Sequence, residues 1–241
     1  MKRTFAPAFL ALFSLPALGQ SSDDSKSPWH WDPGAAVGND YVWRGQSLTD
    51  GNPYVLGEVK VRHDNGFYAG LWASTIDLGP HTDTSAEFDY FAGWAKRYGK
   101  FSINVGYLYR QRPSEVLSLD FQEFTASASY DFGFARLGAS SYYSPDYFQG
   151  GTSVYSSVNL NVPIAKPHDV RIIGVASAGR YDFSNPAIGD YNNIDLRVLA
   201  LYQRWEFSVG WSDTNVDPLH SGLLTRNECG PRWRAQVLVM F

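Results

Sequence analysis

Most of the chain alternates apolar and polar residues with a period of two, which is the period of a β-strand. In the stretch 54–63, Val55 and Val59 occupy one face, while Glu58 and Lys60 occupy the other. The same alternation recurs in segments of about ten residues along nearly the whole chain. No stretch between them shows a helical stripe of comparable length. The pattern predicts a protein built from strands.

The alternating segments number about twelve, which is the even count that single-chain bacterial outer-membrane barrels require. Their centres lie near Tyr41, Val59, Leu71, Tyr90, Val105, Ala126, Leu137, Val158, Ile173, Val198, Val209 and Val237. The sequence therefore predicts an all-β fold, an antiparallel transmembrane β-barrel of about 12 strands, with about 10 or 14 strands as alternatives.

The connections between these segments alternate in length. The short ones are predicted as hairpin turns at 64–66, 98–100, 131–133 and 203–205. The long ones are rich in Gly, Pro, Asp and Ser and lie at 46–53, 79–85, 113–120, 144–152, 184–191 and 213–231. Only the turn at 163–169 is intermediate. Outer-membrane barrels have short periplasmic turns and long extracellular loops, so this contrast favours the same fold.

A soluble β-sandwich also alternates, so the composition of the two faces has to distinguish the two folds. The polar face carries Ser, Asn and Gly with only a few charges per strand, which is typical of a water-filled lumen. Aromatic residues gather near predicted strand ends, as in Tyr41 with Trp43 and Tyr142 with Tyr143. We expect these pairs to belong to the aromatic girdles of a membrane barrel.

Both ends of the chain support export to an outer membrane. Residues 1–19 carry Lys2 and Arg3 ahead of a short apolar stretch, which predicts a cleaved signal peptide. Residues 20–34 are predicted as a polar leader and residues 35–241 as the barrel. The last strand ends on Phe241, like the signal that such barrels present to the barrel-assembly machinery. The expected partners are this machinery, the lipid bilayer and small solutes.

Composition excludes several other classes of protein. A bundle of membrane helices would need repeated apolar runs of about 20 residues, and a disordered chain would lack the 15 Phe, 15 Tyr and 8 Trp found here. The net charge is −4, and loss of the signal peptide removes two positive charges, leaving −6. We expect no nucleic-acid partner, because binding phosphates requires a basic face. Cys229 is the single cysteine and can form no internal disulfide.

The sequence offers little catalytic chemistry. The five histidines are scattered, so we expect no metal site, no cofactor and no enzymatic activity. An outer-membrane hydrolase would need an acid and a histidine together at the extracellular rim. His81 with Asp83 and Asp217 with His220 are the candidate pairs, and short loops often carry such pairs without function.

Candidate functional residues therefore lie on the polar face of the strands. Ten cations and seven acids are expected to line the lumen: Arg44, Lys60, Arg62, Arg97, Arg110, Arg136, Arg171, Arg197, Arg232, Arg234, Asp40, Glu58, Glu87, Asp89, Glu123, Asp195 and Glu206. The excess of positive charge predicts weak anion selectivity. Pairs such as Arg62 with Glu87 and Arg110 with Glu123 are expected to cancel much of that field.

Several stretches resemble the TorF family of bacterial porins. They are Asp40 to Ser47 (DYVWRGQS), Gly66 to Ser74 (GFYAGLWAS), Tyr143 to Phe148 (YSPDYF) and Gly210 to Thr214 (GWSDT). The resemblance covers residues from about 35 to 241 and implies a barrel and a pore, without catalytic residues to carry over.

The function predicted from the sequence is an outer-membrane porin for passive diffusion of small hydrophilic solutes, with weak anion selectivity. One alternative is a structural or interaction barrel with a plugged lumen that acts through its extracellular loops. A hydrolase with its site at the rim is the less favoured third class.

Overall fold

A computed structural model describes residues 27–79, 82–115, 118–216 and 229–241. The predicted signal peptide at 1–19 lies outside the described residues, as does much of the last long loop. Within these ranges no helix is long and apolar enough to cross a membrane.

Twelve antiparallel strands close into a barrel, which confirms the predicted fold class. They are β1 (Trp29–Gly38), β4 (Tyr54–His63), β5 (Phe67–Thr75), β6 (Ala86–Tyr98), β7 (Phe101–Gln111), β8 (Phe121–Asp131), β9 (Arg136–Ser144), β10 (Ser153–Ala165), β11 (Arg171–Phe183), β12 (Tyr191–Tyr202), β13 (Trp205–Thr214) and β14 (Arg232–Met240). Two short strands, β2 (Val42–Trp43) and β3 (Gln46–Ser47), form a separate hairpin.

Each barrel strand pairs with its neighbours along the chain, and β1 closes the ring by pairing with β14. This seam is short, because its register runs only from Gly34 opposite Met240 to Gly38 opposite Gln236. The other edge of β1 pairs with β4 along its whole length, from Trp29 opposite His63 to Gly38 opposite Tyr54.

Eleven of the predicted segment centres lie in barrel strands, but the first does not. We expected the first strand near Tyr41, whereas β1 begins at Trp29, within the stretch predicted as a polar leader. Its outward positions are the aromatic Trp29 and Trp31, then the small residues Pro33 and Ala35, and last Val37. Because the apolar stripe on this face is weak, the two-residue period does not predict the strand.

The alternation of the sequence becomes an alternation of burial. On β7, Val105 is 51% exposed on the outer face, while Leu108 and Arg110 are buried inside. Apolar side chains on the outer face of a barrel suit a lipid environment, because lipid offers no partners for polar groups. The short turns lie at one end of the barrel, together with the start of β1 and the end of β14, and the long connections lie at the other end.

Replacing Val105 with arginine is expected to lower the free energy of unfolding of the barrel in a bilayer by about 2 to 4 kcal/mol, because the charge would face lipid near mid-strand. The matched control is Ser127→Arg on the inner face of the adjacent strand, next to Asn104. Denaturant titration in vesicles measures both. Equal losses for the two variants would contradict the outward orientation of Val105.

Candidate functional site

The first long connection folds into the barrel. Residues 40–49 are all buried, and they carry the β2–β3 hairpin, which we call the inner hairpin. Its two-residue turn is Arg44-Gly45, with φ of 51° and 84°. Two successive positive φ values are typical of the type I′ turns that join tight hairpins, and glycine at the second position accepts this conformation readily.

Arg44, at the tip of the inner hairpin, is paired with Glu123 on β8. Its Nη1 and Nη2 donate hydrogen bonds of 2.7 and 2.9 Å to Glu123 Oε1 and Oε2. Both side chains are almost fully buried. Burial disfavours the charged form of Arg44, but the adjacent carboxylate outweighs it and raises the pKa of Arg44 above its ordinary value. The tip of the hairpin therefore carries a permanent charge that is matched by the wall.

Aromatic rings enclose the same guanidinium group. Its central carbon lies 4.8, 4.3 and 4.8 Å from the ring centres of Tyr142, Tyr155 and Tyr181. These distances are within the range of cation–π attraction, which is stronger away from water. Together with Glu123 these tyrosines come from four adjacent strands, β8 to β11, and we call the four residues the Arg44 seat.

Trp43 is held between two guanidinium groups. The central carbons of Arg44 and Arg110 lie 4.3 and 4.6 Å from its indole ring. Arg110 in turn donates two hydrogen bonds to Asp89, and Arg112 donates one of 2.6 Å to Glu87. The hairpin therefore contacts β7 through Trp43 and Arg110, and ion pairs with β6 hold the arginine in place.

The base of the hairpin is fixed by Asp40. Its carboxylate accepts hydrogen bonds from Ser47 and Thr49 and from Arg232 on β14, the last at 2.9 Å. On the other side of the tip, a Cβ atom on Gly45 would lie 2.6 Å from Asn193 Cβ and 2.9 Å from Thr214 Cβ. The hairpin therefore contacts β14 at its base, β12 and β13 beside its tip, and β8 through Arg44.

Fourteen of the seventeen charged residues proposed from sequence fall into two groups, and Asp40 lies at the base of the inner hairpin. At the loop end the structure gathers Arg44, Glu87, Asp89, Arg110, Glu123, Asp195, Arg232 and Arg234 around the inner hairpin. Towards the short turns lie Glu58, Lys60, Arg62, Arg97, Arg136 and Arg197.

Both ion pairs expected from the sequence are wrong. Arg62 pairs with Asp32 at 2.8 Å, near the short-turn rim, and Glu87 pairs with Arg112 instead. Arg110 pairs with Asp89, which leaves Glu123 to Arg44. The reason is that β1 and the inner hairpin supply partners that the predicted strand set did not contain.

The predicted girdle is also wrong for three aromatic side chains. Tyr41, Trp43 and Tyr142 are 7%, 4% and 7% exposed, and they pack inside the barrel around the hairpin. Tyr143 is 43% exposed on the outer face, as a girdle residue would be. The Arg44-Gly45 dipeptide could have identified the hairpin, because a glycine at this place favours a tight turn. It lies between two cross-strand pairs of an apolar and a polar residue, Val42 with Ser47 and Trp43 with Gln46.

Each candidate hydrolase pair includes at least one residue outside the part of the chain that the structure describes. His81, Asp217 and His220 lie outside the described residues, and within those residues no group of three His, Cys, Asp or Glu side chains is placed to hold a metal ion.

Comparison with solved structures shows the fold of porins. The chain aligns with the KdgM porin at a TM-score of 0.57 and 11% identity, covering 88% of this chain and 98% of that one. It aligns with the NanC porin at a TM-score of 0.53 and 10% identity, covering 88% and 99%. No curated protein sequence matches. Among protein families, residues 22–237 match a family described as "Bacterial protein of unknown function (Gcw_chp)".

Proposed function

The chain belongs to the Gcw_chp family of bacterial proteins of unknown function, and from its own geometry we propose that it is an outer-membrane channel for small hydrophilic solutes, closed at its loop end by the inner hairpin. The observation that carries this proposal is a hairpin that fills the mouth of the barrel without belonging to its wall. The passage is passive and requires no catalytic group.

Polar side chains on the inner face support the channel. Below the inner hairpin, Lys60, Thr125, Ser127, Ser177 and Gln236 face inward and keep part of their surface accessible. Water and small solutes are compatible with such a wall, whereas a barrel that served only as an anchor could fill its interior with apolar side chains.

The inner hairpin is suited to act as a gate. Strands β2 and β3 pair with each other in a sheet of their own, and the twelve-stranded ring is complete without them. Side-chain interactions such as Arg44 with Glu123 and Tyr41 with Glu87 attach the hairpin to the wall. It can therefore leave the lumen while every strand pairing of the barrel remains in place.

Arg44→Ala tests this proposal in planar-bilayer recordings. The wild-type channel is expected to be closed most of the time, and the variant is expected to open at least tenfold more often, because removal of one charge-assisted pair weakens closure by about 1.5 to 3 kcal/mol. The matched control is Arg180→Ala, which removes an exposed arginine at the same end of the barrel. It should behave as the wild type.

The second candidate function is a plugged barrel that acts through its loops, and the buried hairpin is the observation that favours it. Removal of residues 41–48 distinguishes the two. A bilayer that stays silent with this variant, although the variant is folded, would reject the channel and support the plugged barrel.

We propose export by residues 1–19, recognition of the last strand by the assembly machinery, and membership of the TorF group of porins. We also propose weak anion selectivity for the half of the lumen nearest the short turns. There Arg97 and Arg136 share Asp131 as their acidic partner. Reversal potentials in a salt gradient, measured in the same recordings, test this preference.

A further inference from the structure

We infer that the Arg44 seat is a binding site for guanidinium-type organic cations, and that Arg44 is its built-in occupant. A solute that carries such a group on a short chain would compete with Arg44 for Glu123 and the three tyrosines. This inference deepens the proposed function, because displacement of Arg44 would release the inner hairpin.

The seat has the chemistry of a cation site independently of the hairpin. Among the described residues, Glu123 accepts two hydrogen bonds, and both come from Arg44. Without Arg44 the carboxylate would be buried with no partner, which is costly in a water-poor site. Tyr142, Tyr155 and Tyr181 present ring faces to the same point, which favours a planar, weakly hydrated cation over a small metal ion.

The seat belongs to the wall and survives departure of the hairpin. Glu123 and Tyr142 lie on paired strands β8 and β9, and Tyr155 and Tyr181 lie directly opposite each other on β10 and β11. Tyr155 is further held by its hydroxyl, which donates a 3.1 Å hydrogen bond to Asn193. An incoming cation would therefore meet preformed partners.

The backbone of Arg44 makes it a replaceable occupant. Its φ of 51° lies in the left-handed region, where a residue with a side chain is disfavoured. A free solute would gain the contacts of the guanidinium group without this backbone strain. Because Arg44 is tethered next to its partners, it has a high effective concentration at the seat. A free solute can compete when its own concentration is comparable to that effective concentration.

The mouth of the barrel favours approach of cations. Exposed acids stand on the long connections at Asp77, Asp83, Glu115, Asp146 and Asp190. The cations that the described parts of these connections carry are Arg44 and Arg112, and both are buried in ion pairs. Arg180 on β11 pairs with Asp190, so the described part of the mouth keeps an excess of exposed acids, and this excess raises the local concentration of cations.

The first test measures binding without a membrane current. Ethylguanidinium, the probe, is titrated by calorimetry into the purified full-length protein in detergent. Arg44→Ala is expected to bind it saturably at one site. In the double variant Arg44→Ala/Glu123→Gln, affinity should fall at least tenfold, because the charge-assisted pair is lost. Absence of binding to Arg44→Ala, or equal binding to the double variant, would overturn the inference.

The second test asks whether the probe displaces Arg44 in the wild type. Ethylguanidinium should accelerate chymotrypsin cleavage after the buried Trp43 of the inner hairpin, whereas urea, which is planar but neutral, and sodium chloride at the same concentration should not. Lack of acceleration at saturating probe would show that the seat serves only as a lock, and would also overturn the inference. Binding and displacement in a protein that carries no current would instead reject the channel and leave the cation site standing.

Discussion

Glu123→Ala is expected to release the inner hairpin almost completely. The substitution leaves the Arg44 guanidinium buried without its carboxylate, and removal of one partner from a buried ion pair costs about 3 to 5 kcal/mol. The barrel strands keep their pairing, so the cost falls on the seating of the hairpin. Rapid trypsin cleavage after Arg44 and a largely open channel are the expected results.

A double-mutant cycle separates this ion pair from general damage to the wall. Hydrogen exchange of the Leu48 amide, which donates to Tyr41 within the hairpin, measures the free energy of hairpin opening in each variant. Arg44→Ala combined with Glu123→Ala should cost clearly less than the sum of the two single substitutions, since neither charge is then left alone. Additive costs would show that the two side chains do not act as a pair.

Gly45→Ala is the second substitution with a large expected effect. The added Cβ would lie 2.6 Å from Asn193 Cβ on β12 and 2.9 Å from Thr214 Cβ on β13, too close for these paired strands to accept without movement. Because the hairpin is the part that can withdraw, we expect the variant to fold as a barrel with a mostly open mouth. Conductance and trypsin cleavage after Arg44 measure this effect.

Gly51→Ala is the matched control. Gly51 also has a positive φ, of 77°, but a Cβ there meets nothing within 4 Å. Both variants suffer the same type of backbone strain, about 1 to 2 kcal/mol, and only Gly45→Ala adds the collision. Similar conductance of the two variants would mean that the tip of the hairpin does not press against β12 and β13.

Alternation made most of the barrel predictable, because one face of each strand must suit lipid and the other must suit the interior. It failed at the first strand, where Gly34, Ala36 and Gly38 face inward and Pro33 and Ala35 face outward. These small residues interrupt the apolar face between Trp31 and Val37 and weaken the amphipathic signal. The clearer alternation that follows, from Asp40 to Ser47, therefore predicts a strand where the structure has the inner hairpin.

The candidate site was only partly predictable for a related reason. Charged residues such as Arg110 and Glu123 could be assigned to the polar face from local pattern alone. Their partners could not, because Arg44 meets Glu123 across 79 positions and Asp40 meets Arg232 across 192. In the inner hairpin every side chain is buried whichever way it points, so alternation no longer separates inside from outside.

The seam between β1 and β14 gives the inner hairpin a place in the order of assembly. Asn39 accepts a hydrogen bond from the Ala235 amide, and Asp40 pairs with Arg232, so the base of the hairpin ties the first strand to the last. These bonds cannot form until the final strand has been inserted, and contacts so distant along the chain form slowly. The mouth of the barrel would thus stay open during assembly until the last strand completes the ring. Closure of the mouth would then mark the end of assembly.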